Sequence, residues 1–337
     1  MGTEREQYIK GVLEANDLRL SERIGQHFLV DQGAIDLLVA STLPGAKVIE
    51  VGSGIGHVTE AFARRAGTVI GIEIDRRFQP ALEEVQERNP NVQFILKDAL
   101  YVPFGSLIDR GEEAQVVANI PFHITEPFLQ RLIDLPISNA VLIVGDNIAS
   151  ELQAPEGSPD FGKMSLLAQT FFDVHELTTI PRDSFYPPPR TEASMIVLEP
   201  KGKKEIEANP AVYTFASLFR RAGKYGLVKN DVKQAIVEVE QNAGTMTLSK
   251  QERHQKIRSG VNRELREIMQ EYSRGGRVIV ASENSDEPHR NKVLSQSQAI
   301  QVMNRMGIPE SVLEKPFSRL DNNEVQKLTL AVRNYYR

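Results

Sequence analysis

The chain has 337 residues, a formal net charge of −5, 41% hydrophobic residues and 25% charged residues. These values are typical of a soluble globular protein with one large and one smaller domain. No apolar run approaches the roughly 18 residues of a membrane span, and the first ten residues are charged and polar. We therefore expect no membrane partner and no secretion signal.

The absence of cysteine excludes disulfide bonds and thiolate chemistry. The six histidines are scattered, with no pair spaced like zinc ligands, so we expect no metal site. Together these features favour a cytoplasmic protein, which we expect to be a monomer. Because the net charge is negative, any RNA partner has to be held by a local basic face.

The hydrophobic pattern predicts alternating helices and strands over the first 200 residues. Helices are expected at 5–20, 33–41, 57–65, 126–133 and 164–172. Strands are expected at 47–51, 68–72, 92–96, 115–118, 140–144, 175–180 and 194–198. This order predicts an α/β fold in which seven strands form a doubly wound sheet, with the last two strands as a hairpin.

The stretch Gly52-Ser53-Gly54-Ile55-Gly56, here named the glycine loop, follows the first of these strands and leads into a helix. Glycines at such a turn let the backbone approach a ligand, and the helix N-terminus adds partial positive charge. The next strand ends at Glu73-Ile74-Asp75, where an acid is placed to bind ribose hydroxyls. The third strand ends near Asp98, which could accept the amino group of an adenine.

The glycine spacing distinguishes two nucleotide-like ligands. A dinucleotide site requires G-x-G-x-x-G to hold a pyrophosphate, whereas this chain has Glu50 followed by glycines at 52, 54 and 56. Carboxylates near the loop suit the sulfonium and ammonium charges of S-adenosylmethionine, which has no phosphate. The pattern favours S-adenosylmethionine as the cofactor.

Asn119-Ile120-Pro121-Phe122 follows the fourth strand, at the sheet edge where ligands bind in open α/β folds. The Asn119 side-chain oxygen and the Ile120 carbonyl can accept the two N–H bonds of an exocyclic amine. Pro121 biases Ile120 to an extended backbone, and Phe122 offers a face for stacking. This tetrapeptide is the predicted catalytic element.

A domain boundary is predicted near residues 200–204. Beyond it, the hydrophobic pattern of the sequence predicts helices only. We expect an N-terminal helical extension at 1–24, a methyltransferase domain at 25–200 and a helical domain at 205–337 that recognises RNA or another substrate. Helices are predicted at 210–222, 231–242, 249–272, 295–306 and 323–336. The basic side chains expected to contact phosphates are Arg220, Arg221, Lys224, Lys229 and Lys233.

Six separated motifs resemble, in order and spacing, those of the rRNA adenine N6-dimethyltransferases of the KsgA and Erm types. They are Gly25 to Leu29, Glu50 to Gly56, Glu73 to Asp75, Lys97 to Ala99, Asn119 to Phe122 and Phe185 to Arg190. The chain is more similar to the KsgA type, which acts on small-subunit rRNA. The resemblance implies a class I methyltransferase sheet of the Rossmann-like kind plus a smaller all-helical C-terminal domain, here longer than usual.

The family implies roles for individual residues. His27 and Leu29 would border S-adenosylmethionine, Gly52, Gly54 and Gly56 would pack against it, Glu73 would bind its ribose and Asp98 its adenine. Asn119 would touch both the methyl donor and the target base, and Phe185 would form the opposite wall of the base pocket. Phe122 stands where many members have tyrosine. Phenylalanine can still stack on a base but lacks the tyrosine hydroxyl.

Three hypotheses for function remain at this stage. The first is dimethylation of adenine in rRNA, with pre-ribosomal small subunits as the partner. The second keeps the methyl transfer but changes the acceptor to large-subunit rRNA, another nucleic acid or a small-molecule amine, which the acidic net charge favours. The third is an RNA-binding factor in ribosome assembly whose catalysis is secondary.

Overall fold

The computed structural model describes residues 4–20, 25–109, 111–112, 114–121, 124–221, 228–245 and 296–336. The chain divides into two compact units, Met1–Gly202 and Lys203–Arg337. Among the described residues, no helix is both long and apolar enough to cross a membrane. The same residues contain no group of three or more His, Cys, Asp or Glu that could hold a metal ion.

The strands of the first unit are β1 (Phe28–Leu29), β2 (Lys47–Val51), β3 (Thr68–Glu73), β4 (Val92–Leu96), β5 (Ala114–Asn119), β6 (Ile137–Gly145), β7 (Phe172–Ile180), β8 (Phe185–Tyr186) and β9 (Ala193–Pro200). Seven of these described strands form one sheet in the order β4-β3-β2-β5-β6-β9-β7. Strands β2 to β6 are parallel, whereas β9 runs antiparallel to both β6 and β7. The predicted α/β fold with a seven-stranded sheet is confirmed, and its last two strands, β7 and β9, pair in antiparallel register as predicted.

Helices connect and cover these strands. They are α1 (Glu4–Ala15), α2 (Gln32–Ala40), α3 (Thr59–Ala63), α4 (Gln79–Arg88), α5 (Thr125–Leu132), α6 (Asp146–Gln153) and α7 (Lys163–Phe171). The central strands are almost wholly apolar and buried, as expected for parallel strands covered on both faces. Their carboxyl ends therefore meet at one edge of the sheet, next to the glycine loop.

Helix α1 is shorter than the predicted 5–20. Asp17 has a φ of +48°, and the Leu18 N–H turns back to the Leu13 carbonyl at 2.8 Å. This left-handed residue and its reversed hydrogen bond end the helix in a Schellman-type cap. Ile9 and Leu13 are buried in a cluster that also contains Phe28, so α1 packs on the core of the first unit.

The Phe185 to Arg190 motif begins with strand β8, which the sequence pattern does not predict. Phe28 and Leu29 of β1 pair with Tyr186 and Phe185 in antiparallel register. The pairing continues because the N–H groups of Val30 and Asp31 both donate to the Ser184 carbonyl, at 2.8 and 3.2 Å. A two-stranded ribbon thus joins the Gly25–Asp31 segment to the start of the proline-rich loop.

The described part of the second unit is helical. Its helices are α8 (Lys203–Ala208), α9 (Pro210–Arg221), α10 (Val228–Thr245), α11 (Gln296–Arg305), α12 (Glu310–Leu313) and α13 (Asn322–Tyr336). The core includes Phe215, Val232, Phe317 and Leu328, all nearly inaccessible to solvent. The predicted helix at 249–272 lies outside the described residues.

Candidate functional site

The glycine loop turns sharply after β2. Gly52 and Gly54 have φ values of +82° and +56°, which side chains other than glycine rarely adopt. A Cβ on Gly54 would come within 2.5 Å of the Phe28 ring, and one on Gly52 within 3.1 Å of the Asn119 carbonyl oxygen. These glycines are therefore required by close packing against β1 and β5, in addition to any approach of a ligand.

The third glycine of the loop and Leu29 have different surroundings from the other predicted cofactor residues. A Cβ on Gly56 would meet Val85 and Leu82 at 3.0 and 3.3 Å, so this glycine lets the loop pack on α4. Leu29 is 2% exposed and belongs to the core, where its carbonyl accepts the His57 Nε2–H at 2.9 Å. Neither residue lines the two larger cavities described next.

A cavity of about 200 Å³ opens beside the glycine loop and is here named the Glu73 cavity. It gathers the ends of β2, β3, β4 and β5 together with the Gly25–Asp31 segment. Its lining residues are Gly25, Gln26, His27, Phe28, Val51, Gly52, Gly54, Ile72, Glu73, Ile74, Phe78, Lys97, Asp98, Ala99, Asn119, Ile120, Pro121 and Ile124.

Glu73 is the most buried acid of this cavity, at 6% exposure. Its Oε2 accepts the Gly54 N–H at 2.7 Å, and its Oε1 accepts the Asp75 N–H at 2.8 Å. Burial raises the pKa of the Glu73 carboxyl, and these backbone donors oppose the shift. A carboxylate has about four acceptor positions, so both oxygens can still accept hydroxyl groups from a ligand.

The other acids near the Glu73 cavity have distinct roles. Asp98 Oδ1 accepts the Leu100 N–H at 2.8 Å, and the half-buried carboxyl lines the cavity. Asp75 is bonded to the Arg77 guanidinium, which lowers the pKa of its carboxyl, and it accepts the Gln26 amide at 2.8 Å. Asp98 is thus available to a ligand, whereas Asp75 holds its neighbours in place.

A second cavity, of about 760 Å³, lies on the other side of Asn119 and is here named the Phe185 cavity. It is lined by Gly25, His27, Asn119, Ile120, Pro121, Ile143, Val144, Gly145, Phe185, Pro187, Pro188, Pro189, Arg190, Thr191, Glu192 and Ala193. Five residues also line the Glu73 cavity, namely Gly25, His27, Asn119, Ile120 and Pro121. They form the wall that the two cavities share.

Asn119 occupies this shared wall with its side chain oriented by the backbone. Its Nδ2 donates to the His27 carbonyl at 3.1 Å. Because a carbonyl only accepts, this bond fixes which end of the amide is nitrogen, and Oδ1 accepts no hydrogen bond from any described residue. Ile120 is 3% exposed, and its N–H donates to the Ile143 carbonyl at 3.3 Å, which anchors the chain after β5.

The opposite wall of the Phe185 cavity is held by two side chains. The His27 ring Nδ1 donates to the Pro187 carbonyl at 2.7 Å. Arg182 Nε donates to the Pro189 carbonyl at 2.8 Å. Prolines 187 to 189 have no N–H with which to build a hydrogen-bonded turn, so these carbonyls are fixed from outside the loop.

A buried polar cluster of Glu50, His57 and Thr59 lies next to the glycine loop and was not predicted as a group. Glu50 is 5% exposed and bonds to the Thr59 hydroxyl. Burial raises the pKa of the Glu50 carboxyl to about 7, which the Thr59 hydroxyl opposes. Burial also lowers the pKa of His57 to about 4, so the ring is neutral. Only the acid before the glycines signalled this cluster in the sequence.

The predicted phosphate-contacting residues of the second unit are placed differently from one another. Arg221 forms an ion pair with Glu238, which also accepts the Ser217 hydroxyl at 2.6 Å. Arg220 is exposed, and Lys229 pairs with Glu314 at 2.7 Å. Phe122 and Lys224 lie outside the described residues.

The Glu73 cavity suits S-adenosylmethionine better than a dinucleotide. Glu73 and Asp98 supply acceptors for ribose hydroxyls and for an adenine amine, and their charge favours a cationic ligand. A pyrophosphate would instead be repelled by these carboxyl groups. The structure therefore agrees with a site for the sulfonium donor, in which Glu73, Asp98 and Asn119 would hold the group.

Comparisons with known proteins identify the family. The family model of the ribosomal RNA adenine dimethylases matches residues 18–264. A ribosomal RNA small subunit methyltransferase A from Alkaliphilus oremlandii is 32% identical over 197 residues, which cover 56% of this chain and 69% of that protein. The protein of the same name from Bacillus cytotoxicus is 33% identical over 206 residues, covering 59% and 70%.

A solved structure shows the same fold. The crystal structure of a dimethyladenosine transferase from Plasmodium falciparum matches with a TM-score of 0.50 and 19% identity, covering 91% of this chain and 98% of that one. At this identity the match concerns the fold alone. The family model extends over most of the chain and includes all six of the predicted motifs. The chain belongs to the ribosomal RNA adenine dimethylase family and is an S-adenosylmethionine-dependent rRNA adenine methyltransferase.

Proposed function

We propose that this enzyme dimethylates N6 of adenine in small-subunit rRNA, and that the Phe185 cavity receives the target base. The observation that carries the proposal is the position of Asn119, whose amide lines both cavities with its oxygen free to accept. Two relatives that match this chain over about 70% of their own length are named ribosomal RNA small subunit methyltransferase A. The apolar walls and proline-rich rim of the Phe185 cavity suit a flat aromatic ring.

The chemistry assigned to the chain's residues is mostly positioning. S-adenosylmethionine supplies an electrophilic methyl group. Asn119 Oδ1 and the Ile120 carbonyl would accept the two hydrogens of the N6 amine, which favours a pyramidal nitrogen with its lone pair exposed. The methylated nitrogen becomes acidic and loses its proton without a strong base. Fixed dipoles and alignment therefore account for most of the rate.

The distribution of charge supports an RNA partner despite the negative total. Residues 203–337 carry 23 lysines and arginines against 16 aspartates and glutamates, a net charge of +7. Residues 1–202 carry 17 against 29, a net charge of −12, and the two values together give −5. We assign the phosphate contacts to the second unit, with Arg220 as one of them, because opposite charge attracts the RNA backbone there.

We also propose that the protein works in the cytoplasm as a monomer. The absence of cysteine suits a reducing compartment but does not by itself define one. A base-receiving cavity and a donor cavity built from one chain need no second copy. Sedimentation of the purified protein tests the oligomeric state, and a stable dimer at micromolar concentration would contradict it.

The test is methyl transfer from labelled S-adenosylmethionine to purified small subunits, large subunits, naked rRNA and small amines. We expect incorporation into small subunits, and nucleoside analysis should give N6,N6-dimethyladenosine. Incorporation only into large subunits or only into a small amine would overturn the proposed acceptor. Binding of the cofactor with no transfer to any acceptor would favour the role in ribosome assembly.

A further inference from the structure

Two hydrogen bonds connect the catalytic amide to the far wall of the Phe185 cavity, and a third holds that wall from the other side. The His27 carbonyl accepts from Asn119 Nδ2 at 3.1 Å, and the His27 ring donates from Nδ1 to the Pro187 carbonyl at 2.7 Å. Arg182 donates to the Pro189 carbonyl at 2.8 Å from the other side. One residue, His27, therefore contacts both the group that orients the amine and the loop that confines the ring.

The backbone around His27 is itself fixed to the same loop. Immediately after it, Phe28 and Leu29 pair with Tyr186 and Phe185. The ribbon determines where His27 stands, and the side-chain bond at Pro187 extends the attachment past the last backbone pair. Beyond that point prolines can make no ladder bonds, so the loop depends on side chains for its position.

We propose that His27 is a positioning residue that holds the Pro187–Ala193 wall at a fixed distance from Asn119. This role rests on the proposed function of the Phe185 cavity as the site for adenine, and it is separate from bordering the cofactor. The atom that matters is Nδ1, because it carries the hydrogen given to Pro187. The outer nitrogen Nε2 is not needed for this role.

Three variants of His27 distinguish the effect of losing the donor atom from the effect of changing the size of the side chain. Asparagine places an amide nitrogen where histidine has Nδ1, whereas glutamine carries its nitrogen one atom farther out. His27→Asn keeps the donor, His27→Gln misplaces it, and His27→Leu removes it. Arg182→Ala loosens the same loop from a position that lines neither the Glu73 cavity nor the Phe185 cavity.

The kinetic test uses the full-length protein at saturating S-adenosylmethionine, with small subunits as acceptor. We expect kcat/KM for the acceptor to fall about tenfold in His27→Leu and His27→Gln, as for loss of one intramolecular hydrogen bond. His27→Asn should retain several times more activity than either. Calorimetry should find that the Kd of Arg182→Ala for S-adenosylmethionine changes by less than about threefold, because Arg182 does not line the Glu73 cavity.

A second measurement needs neither substrate. Amide hydrogen exchange at Asp146, whose N–H donates to the Glu192 carbonyl of this wall at 3.1 Å, should become about tenfold faster in His27→Leu and Arg182→Ala, and less so in His27→Asn. Unchanged exchange, or equal loss of activity in all three His27 variants, would overturn the inference. If the wild-type protein fails to methylate small subunits, the proposed function fails while the exchange result still decides the role of His27.

Discussion

Asn119 is the residue on which the proposed chemistry depends, since its amide stands between the two cavities. We predict that Asn119→Ala lowers kcat by about a thousandfold, the usual scale for loss of a fixed polar group at a reacting centre. Affinity for S-adenosylmethionine should stay within about tenfold, because Glu73 and Asp98 remain.

The matched control for this prediction is Asn139→Ala. Asn139 accepts the Gln115 amide at 3.0 Å and lines neither the Glu73 cavity nor the Phe185 cavity. It should show near wild-type transfer from labelled S-adenosylmethionine. A similar loss of kcat in both variants would show that the effect of Asn119→Ala is structural.

Gly54 combines a left-handed backbone with a close neighbour. We predict that Gly54→Ala lowers the free energy of unfolding by about 2 kcal/mol more than Gly157→Ala, and also weakens cofactor binding. Gly157 has a φ of +88° and nothing within 4 Å of an added Cβ, so it isolates the backbone strain. Urea unfolding measures the stability of both variants. Equal losses would mean that contact with the Phe28 ring does not lower the free energy of unfolding.

Glu50 gives the cofactor-free protein a distinctive pH dependence. Its folded pKa of about 7 lies above the ordinary value of 4.5. Between these values the folded carboxyl holds a proton that the unfolded chain has lost, so stability falls as the pH rises. Below pH 4.5 the effect is absent, and above pH 7 the cost is complete, at about 3 kcal/mol.

The variant Glu50→Gln removes this titration while keeping the shape of the side chain. Urea unfolding of both proteins between pH 4.5 and 7.5 should show the wild type losing about 3 kcal/mol relative to the variant as the pH rises. Other buried acids such as Glu73 titrate in both proteins, so their contribution cancels. A constant difference across this range would contradict the raised pKa of Glu50.

The sequence indicated some of these residues and not others. Glu73, Asp98 and Asn119 could be predicted because each follows a strand, and parallel strands end at one edge of the sheet. The structure brings all three to the Glu73 cavity. The bond from His27 to Pro187 joins residues 160 positions apart, and no local pattern encodes it.

Among the elements, α9 carries two adjacent arginines with opposite expected roles. Arg221 is paired with Glu238 of α10, whereas Arg220 is exposed. We predict that Arg220→Ala weakens RNA binding and reduces its salt dependence by about one ion. Arg221→Ala should instead lower the free energy of unfolding by about 2 kcal/mol, because it leaves the half-buried Glu238 without its partner.

RNA binding at several salt concentrations and thermal unfolding of both variants separate these roles. The result that would contradict the assignment is a larger loss of RNA affinity in Arg221→Ala than in Arg220→Ala at equal stability. The sequence alone treats the two residues alike, since their difference depends on a glutamate from another helix.

Other elements show which strands can be predicted from sequence patterns alone. Strands β2 to β6 were predicted within about two residues of most ends, because buried parallel strands have continuous apolar runs. Strand β8 was missed because its two residues precede three prolines and its partner lies in β1. Short strands of this kind are defined by tertiary pairing rather than by local preference.

For the molecule as a whole, the proposed function divides cofactor binding and RNA binding between the two units. All residues that line the Glu73 cavity come from the first unit. We predict that residues 1–202, expressed alone, bind S-adenosylmethionine within about threefold of the full chain. Their affinity for RNA should fall by at least about tenfold at physiological salt, because the net charge of this part is −12. Undiminished RNA affinity in the fragment would contradict the division.

The fold class and the family could both be predicted from the sequence, because the motifs recur at the ends of regular elements in a fixed order. The opposite charges of the two units could also have been found there by counting each part separately. A chain-wide average conceals them, since an acidic catalytic part offsets a basic helical part.

The ribbon between β1 and β8 has a consequence for synthesis. It joins Leu29 to Phe185, so translation must pass residue 185 before the N-terminal segment can find its partner. The sheet also requires β9 between β6 and β7. A nascent chain shorter than about 200 residues thus lacks one side of its base-receiving chamber. On the proposed function, methyl transfer to adenine therefore begins only after the Pro187–Ala193 wall has been synthesised.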